Sequence, residues 1–305
     1  MDLKYAVIGT GAIGGFYGGK LAQAGKEVHF LLRSDYKIVK EKGLRVNSIN
    51  GDFQVNPINA YQSIHDMPVC DVVLVGLKTT SNDILPELLQ PILHKNSMVV
   101  LIQNGLGIEQ KLAQSLPETG IAGGLAFICS QKNSPGIITH LDLGKINLSL
   151  FQGNQTLLQQ IGNDFKEAGI AAKVAENLDY FRWHKLLWNV PFNGMCVVLN
   201  TSTDKLMNNE ATRKLAREIM FEVVGAAQKC GHNLSDDLPD KMIQLTAEMK
   251  PYAPSMKLDY DNRRPMEIEA IYSAPIRAAR AAGFEMKKTE MLEQQLKFIA
   301  SNLLN

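Results

Sequence analysis

The chain has 305 residues, 45% of them hydrophobic and 21% charged, and at roughly 100–200 residues per domain this length predicts two domains. Thirty-two Lys and Arg against 31 Asp and Glu leave a net charge of +1, which argues against nucleic acid as an obligatory partner, because phosphate binding needs concentrated cations. No apolar run approaches the roughly 20 residues that span a bilayer, the first residues lack a secretory pattern, and Cys70, Cys129, Cys196 and Cys230 form no CxxC pair, so a reduced cytoplasmic protein without structural zinc is expected.

In chain order, residues 5–8 are expected as a buried strand, followed by a glycine-rich turn and a helix over 13–24 that Gly25 closes. Residues 27–32 form a second strand. Residues 44–46 and 53–55, separated by Asn50-Gly51-Asp52, predict a hairpin on the sheet edge. Apolar strands over 71–77 and 98–102 flank a helical stretch over 83–93. Buried runs with helices between them indicate a parallel sheet covered on both faces. From 136 to 151 the pattern changes to short alternating strands, including 137–139 and 146–148, expected to pair antiparallel. Beyond Glu176 the apolar period becomes helical over 180–198, 204–231, 238–249, 267–283 and 289–304. The fold class is therefore an α/β domain over 1–176 followed by an all-α domain over 177–305.

Gly9-Thr10-Gly11-Ala12-Ile13-Gly14 fits G-x-G-x-x-G directly after a strand and at the opening of a helix, the context that gives the pattern meaning. Gly9 permits the tight turn, Gly11 admits a pyrophosphate to the backbone, and Gly14 lets the helix pack on the strand. The helix N-terminus then offers unpaired N–H groups to the phosphates. A glycine-rich turn without a ligand is the alternative. Where NAD-binding sheets carry an acid after the second strand, this chain has Arg33 and Ser34. Arginine suits a 2′-phosphate dianion, which predicts NADP(H). Asp35 leaves open a ribose contact instead.

Two further strand ends carry polar residues: Lys78 after the strand over 71–77, and Asn104 in Gln103-Asn104-Gly105-Leu106-Gly107. A solvated lysine and a plain Asn-Gly turn are the ordinary readings of such residues. On the helix over 180–198, Lys185, Asn189 and Asn193 stand at i, i+4 and i+8 and share one face. Either they serve chemistry or they form a solvated stripe on a core helix. Pro191 interrupts the same helix and removes one backbone donor. His184 is expected to pack or face solvent. The segment from Ser255 holds a third cluster, in which Pro265 and Glu267 predict a first helical turn with an acid near its positive end.

Together these segments resemble the ketopantoate reductase (2-dehydropantoate 2-reductase) family nearly end to end. The glycine loop, Leu77-Lys78, Asn104-Gly105-Leu106-Gly107, Trp183-His184-Lys185-Leu186-Leu187-Trp188-Asn189, Ser255-Met256 and Glu267-Ile268-Glu269 occur in the family's order and at about its spacing. The resemblance implies a Rossmann-type domain, a helical domain, and NADPH-dependent reduction of a small-molecule 2-oxo acid on the way to pantothenate and coenzyme A. It implies Lys185 as the catalytic proton donor and Glu267 as the acid that binds the substrate hydroxyl, orients the lysine and stands among the cofactor contacts. Asn189 and Asn193 would hold the substrate and Ser255 its carboxylate, with Lys78 and Asn104 touching both cofactor and substrate and the polar stripe facing an interdomain cleft. A reductase of another 2-oxo acid and a non-catalytic NADPH-binding sensor remain as alternatives, the latter having no use for Lys185 and Glu267 together. The apolar helices leave open either a homodimer face or an intramolecular core.

Overall fold

The computed structural model describes residues 2–249, 251 and 253–303. The chain divides near residue 178 into two compact units, and the short loop 104–107 groups with the second. The first unit runs β1 (Lys4–Ile8), α1 (Ala12–Gln23), β2 (Glu27–Leu31), α2 (Tyr36–Lys42), β3 (Leu44–Ser48), β4 (Phe53–Val55), β5 (Asn59–Tyr61), β6 (Val72–Val75), α3 (Leu85–Leu89), β7 (Met98–Leu101), α4 (Ile108–Ser115), β8 (Gly120–Ser134), β9 (Ile137–Gln152), α5 (Gln155–Glu167) and β10 (Ala172–Ala175). Its strands form one sheet ordered β4-β3-β9-β8-β7-β6-β1-β2-β5, with β10 on β9.

Every residue of β6 and β7 is buried, as expected for strands covered on both faces. β1 pairs in parallel with β2 on one side and β6 on the other. The winding therefore reverses at β1, and ligands of open α/β sheets gather beyond the strand carboxyl ends at such a point. The hairpin of β3 and β4 is antiparallel, with β4 at the sheet edge.

Residues 137–139 and 146–148 do not pair with each other. They are two parts of the single strand β9, whose antiparallel partner is β8. The alternation misled because the pairing slips between Phe127 and Ile128, where Leu143 and Gly144 take positive φ and one extra residue enters β9. β8 itself gave no signal, since Gly120, Gly123 and Gly124 dilute its apolar run. The stretch over 83–93 is also less regular than expected. Pro86 starts α3 and Pro91 starts a further 3-10 turn, so no continuous helix forms.

The second unit holds α6 (Leu178–Val198), α7 (Thr203–Asn208), α8 (Glu210–Lys229), α9 (Leu238–Glu248), α10 (Ser255–Asp261), a π-helical turn (Glu269–Ser273), α11 (Ala274–Ala281) and α12 (Lys287–Leu303). Its core gathers Trp183, Leu187, Phe192, Ile219, Val223, Ile271 and Tyr272. The one helix expected over 204–231 is two. Asn209 adopts an extended conformation and accepts from the Thr212 amide at 3.1 Å, which starts α8 afresh. Pro265 lies outside the next helical segment, and Glu267 caps it: its carbonyl accepts from the Ile271 amide at 3.1 Å. Leu304, expected at the end of the last helix, lies outside the described residues.

Glu222 on α8 accepts from the amides of Lys288 and Thr289 and from the Thr289 hydroxyl, each at 2.9 Å. It thereby satisfies the orphan donors that open α12. Glu222→Ala is expected to cost about 1–2 kcal/mol. A thermal melt should show this as a Tm lowered by a few degrees. No helix among the described residues is long and apolar enough to cross a membrane.

Candidate functional site

Each glycine of the loop between β1 and α1 has its own reason. Gly9 has φ +92°, and a Cβ there would lie 2.5 Å from the Leu77 amide nitrogen. A Cβ on Gly14 would fall 2.3 Å from the Gly9 carbonyl oxygen, so only glycine lets α1 press onto the loop. At Gly11 a Cβ would meet nothing within 4 Å, which leaves that side of the backbone open to a ligand. Gly11 caps α1 without any side-chain bond, and the first turn, with Ala12 and Ile13, carries no acid. Its amides and positive dipole are thus available to phosphates. Thr10, buried, donates its hydroxyl to the Leu31 carbonyl at 3.0 Å and ties the loop to the end of β2.

Arg33 follows β2 on the surface, and no carboxylate among the described residues pairs with it. The competing ribose acid, Asp35, is 4% exposed and fully engaged. Its carboxylate meets the Lys132 ammonium at 2.5 Å, accepts from the Gly136 amide at 2.9 Å and from the Ser34 hydroxyl at 3.0 Å. Burial alone would raise the Asp35 pKa, but these three partners outweigh it and hold the group below its ordinary value. A carboxylate so buried and so occupied is poorly disposed to hold a ribose.

Lys78 stands half-buried beyond β6, at the entry to a 3-10 turn over Thr79–Ile84. Gln103, which the sequence did not mark as a site residue, braces this strand end. Its amide donates to the Leu77 carbonyl at 2.8 Å and to Asn82 at 2.7 Å. Asn104 is half-buried, and the loop it opens is held in the second unit by the Leu106 amide, which donates to the Ala270 carbonyl at 3.0 Å.

α6 carries the polar stripe, and the stripe is not solvated. Asn189 is 6% exposed and Asn193 1%. The Asn189 Nδ2 and both amide atoms of Asn193 make no hydrogen bond with the described residues. Buried amides are ordinarily bonded, and an unmet one costs about 1–3 kcal/mol. Such groups on one helix face form a polar cradle that a ligand would complete. The helix is firmly held beneath them. Tyr272 donates its hydroxyl to the Val190 carbonyl at 2.8 Å, and the Trp188 indole donates to Thr246 at 3.2 Å.

Lys185, on the same face, is half-buried. Burial lowers its pKa most and the Arg182 guanidinium, one turn earlier, lowers it further; the Glu267 carboxylate raises it only in part, leaving about 7. Arg182 is 1% exposed and Glu267 6%. The sequence singled out Lys185 and Glu267 but not Arg182, although its i, i+3 spacing from Lys185 was there to be read. Ser255 is the first residue of α10 and half-buried. His184 packs on Tyr180, with ring centroids 6.3 Å apart and nearly parallel planes.

A family model described as ketopantoate reductase PanE/ApbA matches residues 5–153, and its C-terminal counterpart matches residues 177–300. The chain is 47% identical over 304 residues to the 2-dehydropantoate 2-reductase of Nostoc sp., covering 98% of this chain and 95% of that one. Among solved structures, 2-dehydropantoate 2-reductase from Geobacter metallireducens superposes with a TM-score of 0.93 at 37% identity, covering 97% of this chain and 99% of that one. The corresponding enzyme from Methylococcus capsulatus gives a TM-score of 0.91 at 32% identity, covering 99% and 98%.

Proposed function

The chain belongs to the ketopantoate reductase family, and on that premise we propose that it reduces 2-dehydropantoate to pantoate with NADPH, using Lys185 as the proton donor. Residues 1–176 form the cofactor domain of this reading and residues 177–305 the substrate domain. Its four cysteines are free thiols, in keeping with action in the cytoplasm. The observation that carries the proposal is the Lys185 ammonium, brought to a pKa of about 7 on the helix face that also holds the unmet amides of Asn189 and Asn193.

NADPH, when held by the glycine loop and Arg33, would supply the hydride that C2 of the oxo acid receives. As negative charge builds on the ketone oxygen, Lys185 stabilises it and then delivers a proton from Nζ to that oxygen. A donor with a pKa near neutrality is suited to this, because it is protonated before the step and releases the proton readily during it. Glu267 accepts a hydrogen bond from the substrate hydroxyl, reaches the cofactor and keeps Lys185 charged. The amides of Asn189 and Asn193 hold the substrate in register, and Ser255 donates to its carboxylate. Lys78 and Asn104 contact both substrate and cofactor. The open backbone at Gly11 and the uncapped amides of α1 support a pyrophosphate seat at Gly9, Thr10, Gly11, Ala12, Ile13 and Gly14.

Arg33 reads the 2′-phosphate, a choice supported by the commitment of Asp35 elsewhere. Arg33→Gln is expected to raise the KM for NADPH about ten- to hundredfold and to leave that for NADH within about twofold. Steady-state kinetics with the two cofactors checks it. The overall reading is tested by following NADPH oxidation with ketopantoate, pyruvate and 2-oxoisovalerate. Selective turnover of ketopantoate is expected. Equal or better turnover of another oxo acid would move the substrate, and none at all with intact NADPH binding would remove the reductase.

A further inference from the structure

Asp35 occupies the N-cap of α2, where an aspartate would ordinarily accept from the helix's own first amides. Here it makes no such bond. The carboxylate reaches instead to the end of the β8–β9 hairpin, where it meets the Gly136 amide of the turn at 2.9 Å and Lys132 of β8 at 2.5 Å. The same turn is fastened from the other side, because the Arg45 amide donates to the Gly136 carbonyl at 2.9 Å. Asp35 is 4% exposed, and its own carbonyl still accepts from the Val39 amide at 2.9 Å. A helix start that gives up its cap to grip a distant turn needs a reason beyond helix stability.

We propose that Asp35 is a positioning residue for cofactor choice: it latches the Arg33 loop to the β8–β9 turn, and its pairing with Lys132 leaves the Arg33 guanidinium free for a 2′-phosphate. The proposal rests on the reading of Arg33 as the phosphate contact. Two consequences follow from the geometry. The loop carrying Arg33 is held at its neighbour two residues on, so the guanidinium starts from a restricted set of positions. The carboxylate best placed along the chain to neutralise Arg33 is also consumed by another cation. Lys132 is thus the third member of the device, although 97 positions separate it from Asp35 in sequence.

Asp35→Ala is expected to raise the KM for NADPH about tenfold, with the KM for NADH and kcat at saturating NADPH within about twofold. Lys132→Met should raise the NADPH KM in the same direction, since a carboxylate stripped of its cation draws Arg33 toward itself. In an Arg33→Gln background, Asp35→Ala should add nothing further, because Asp35 acts through Arg33. If Asp35→Ala fails to fold, Asp35→Asn keeps an acceptor for the Gly136 amide and drops only the charge, and its NADPH KM should rise about threefold. An unchanged NADPH KM in the Asp35 variants, with Arg33→Gln still impaired, sinks the latch and spares Arg33. An equal rise for NADH, or a further rise in the Arg33→Gln background, makes Asp35 merely structural and also overturns the latch. Should Arg33→Gln itself leave the NADPH KM unchanged, the phosphate reading fails on its own account, whatever Asp35 does.

Discussion

With Lys185 in the proposed role of proton donor, Lys185→Ala is expected to lower kcat for 2-oxo acid reduction about a thousandfold while the Kd for NADPH stays within about twofold. Alanine removes both the charge that stabilises the developing alkoxide and the proton that quenches it. Neither is used in binding the dinucleotide, so fluorescence titration with NADPH should be nearly unaffected. The pH profile gives the independent readout. If the protonated amine is the proton donor, kcat/KM for reduction should be level below the pKa of about 7 and fall as pH rises through it, and oxidation of the alcohol should run the other way. Glu267→Gln removes the group that raises the Lys185 pKa and should move the falling limb to lower pH. A profile for reduction that stays level well above neutrality, or turnover that survives Lys185→Ala, would refute the assignment.

The same shift has a consequence for stability. The Lys185 pKa in the folded chain lies below its unfolded value, so folding disfavours the charged amine. That penalty is complete below the folded pKa and fades as pH climbs toward the unfolded one, about 10.4. Lys185→Met should therefore raise Tm in mildly acidic buffer and lose the advantage in alkaline buffer. Stability would be gained at the proposed proton donor, the trade expected where a site is built from groups held away from their preferred state.

Some of this site is legible in the chain because single residue types answer to local constraints. Gly9 and Gly14 stand where a Cβ would strike backbone, and the strand before them and the helix after them show why. The stripe of Lys185, Asn189 and Asn193 follows from a 3.6-residue period alone. What the period does not tell is whether a stripe faces water, and burial of both asparagines decides that. Other features are invisible locally. β8 opens on a glycine- and alanine-rich run and becomes a strand by pairing with β7 and β9. The grip of Lys132 on Asp35, and the field of Glu267 at Lys185, join positions far apart in sequence. Asp35 illustrates the difficulty directly: its sequence offers it to a ribose, and only the tertiary structure withdraws it.

Asn193→Ala is expected to lower kcat/KM for the oxo acid about a hundredfold without lowering Tm. A buried side chain normally loses stability on truncation, because packing and hydrogen bonds go with it. Asn193 is 1% exposed, yet neither of its amide atoms is met by the described residues. The folded protein therefore carries the desolvation cost of an amide without its bonds, about 1–3 kcal/mol. Removing the amide relieves that cost and leaves only a small cavity to oppose the gain. A substrate bound at the proposed site would, by contrast, lose both a donor and an acceptor. Asn189→Ala should cost less, about tenfold, since only its Nδ2 is both fully buried and without a partner. A Tm lowered by more than about 5 °C for Asn193→Ala, with activity falling in proportion to folded protein, would make the asparagine a packing residue. An unchanged or raised Tm with a hundredfold loss of kcat/KM would leave substrate binding as the reason a buried amide is kept unpaired on α6.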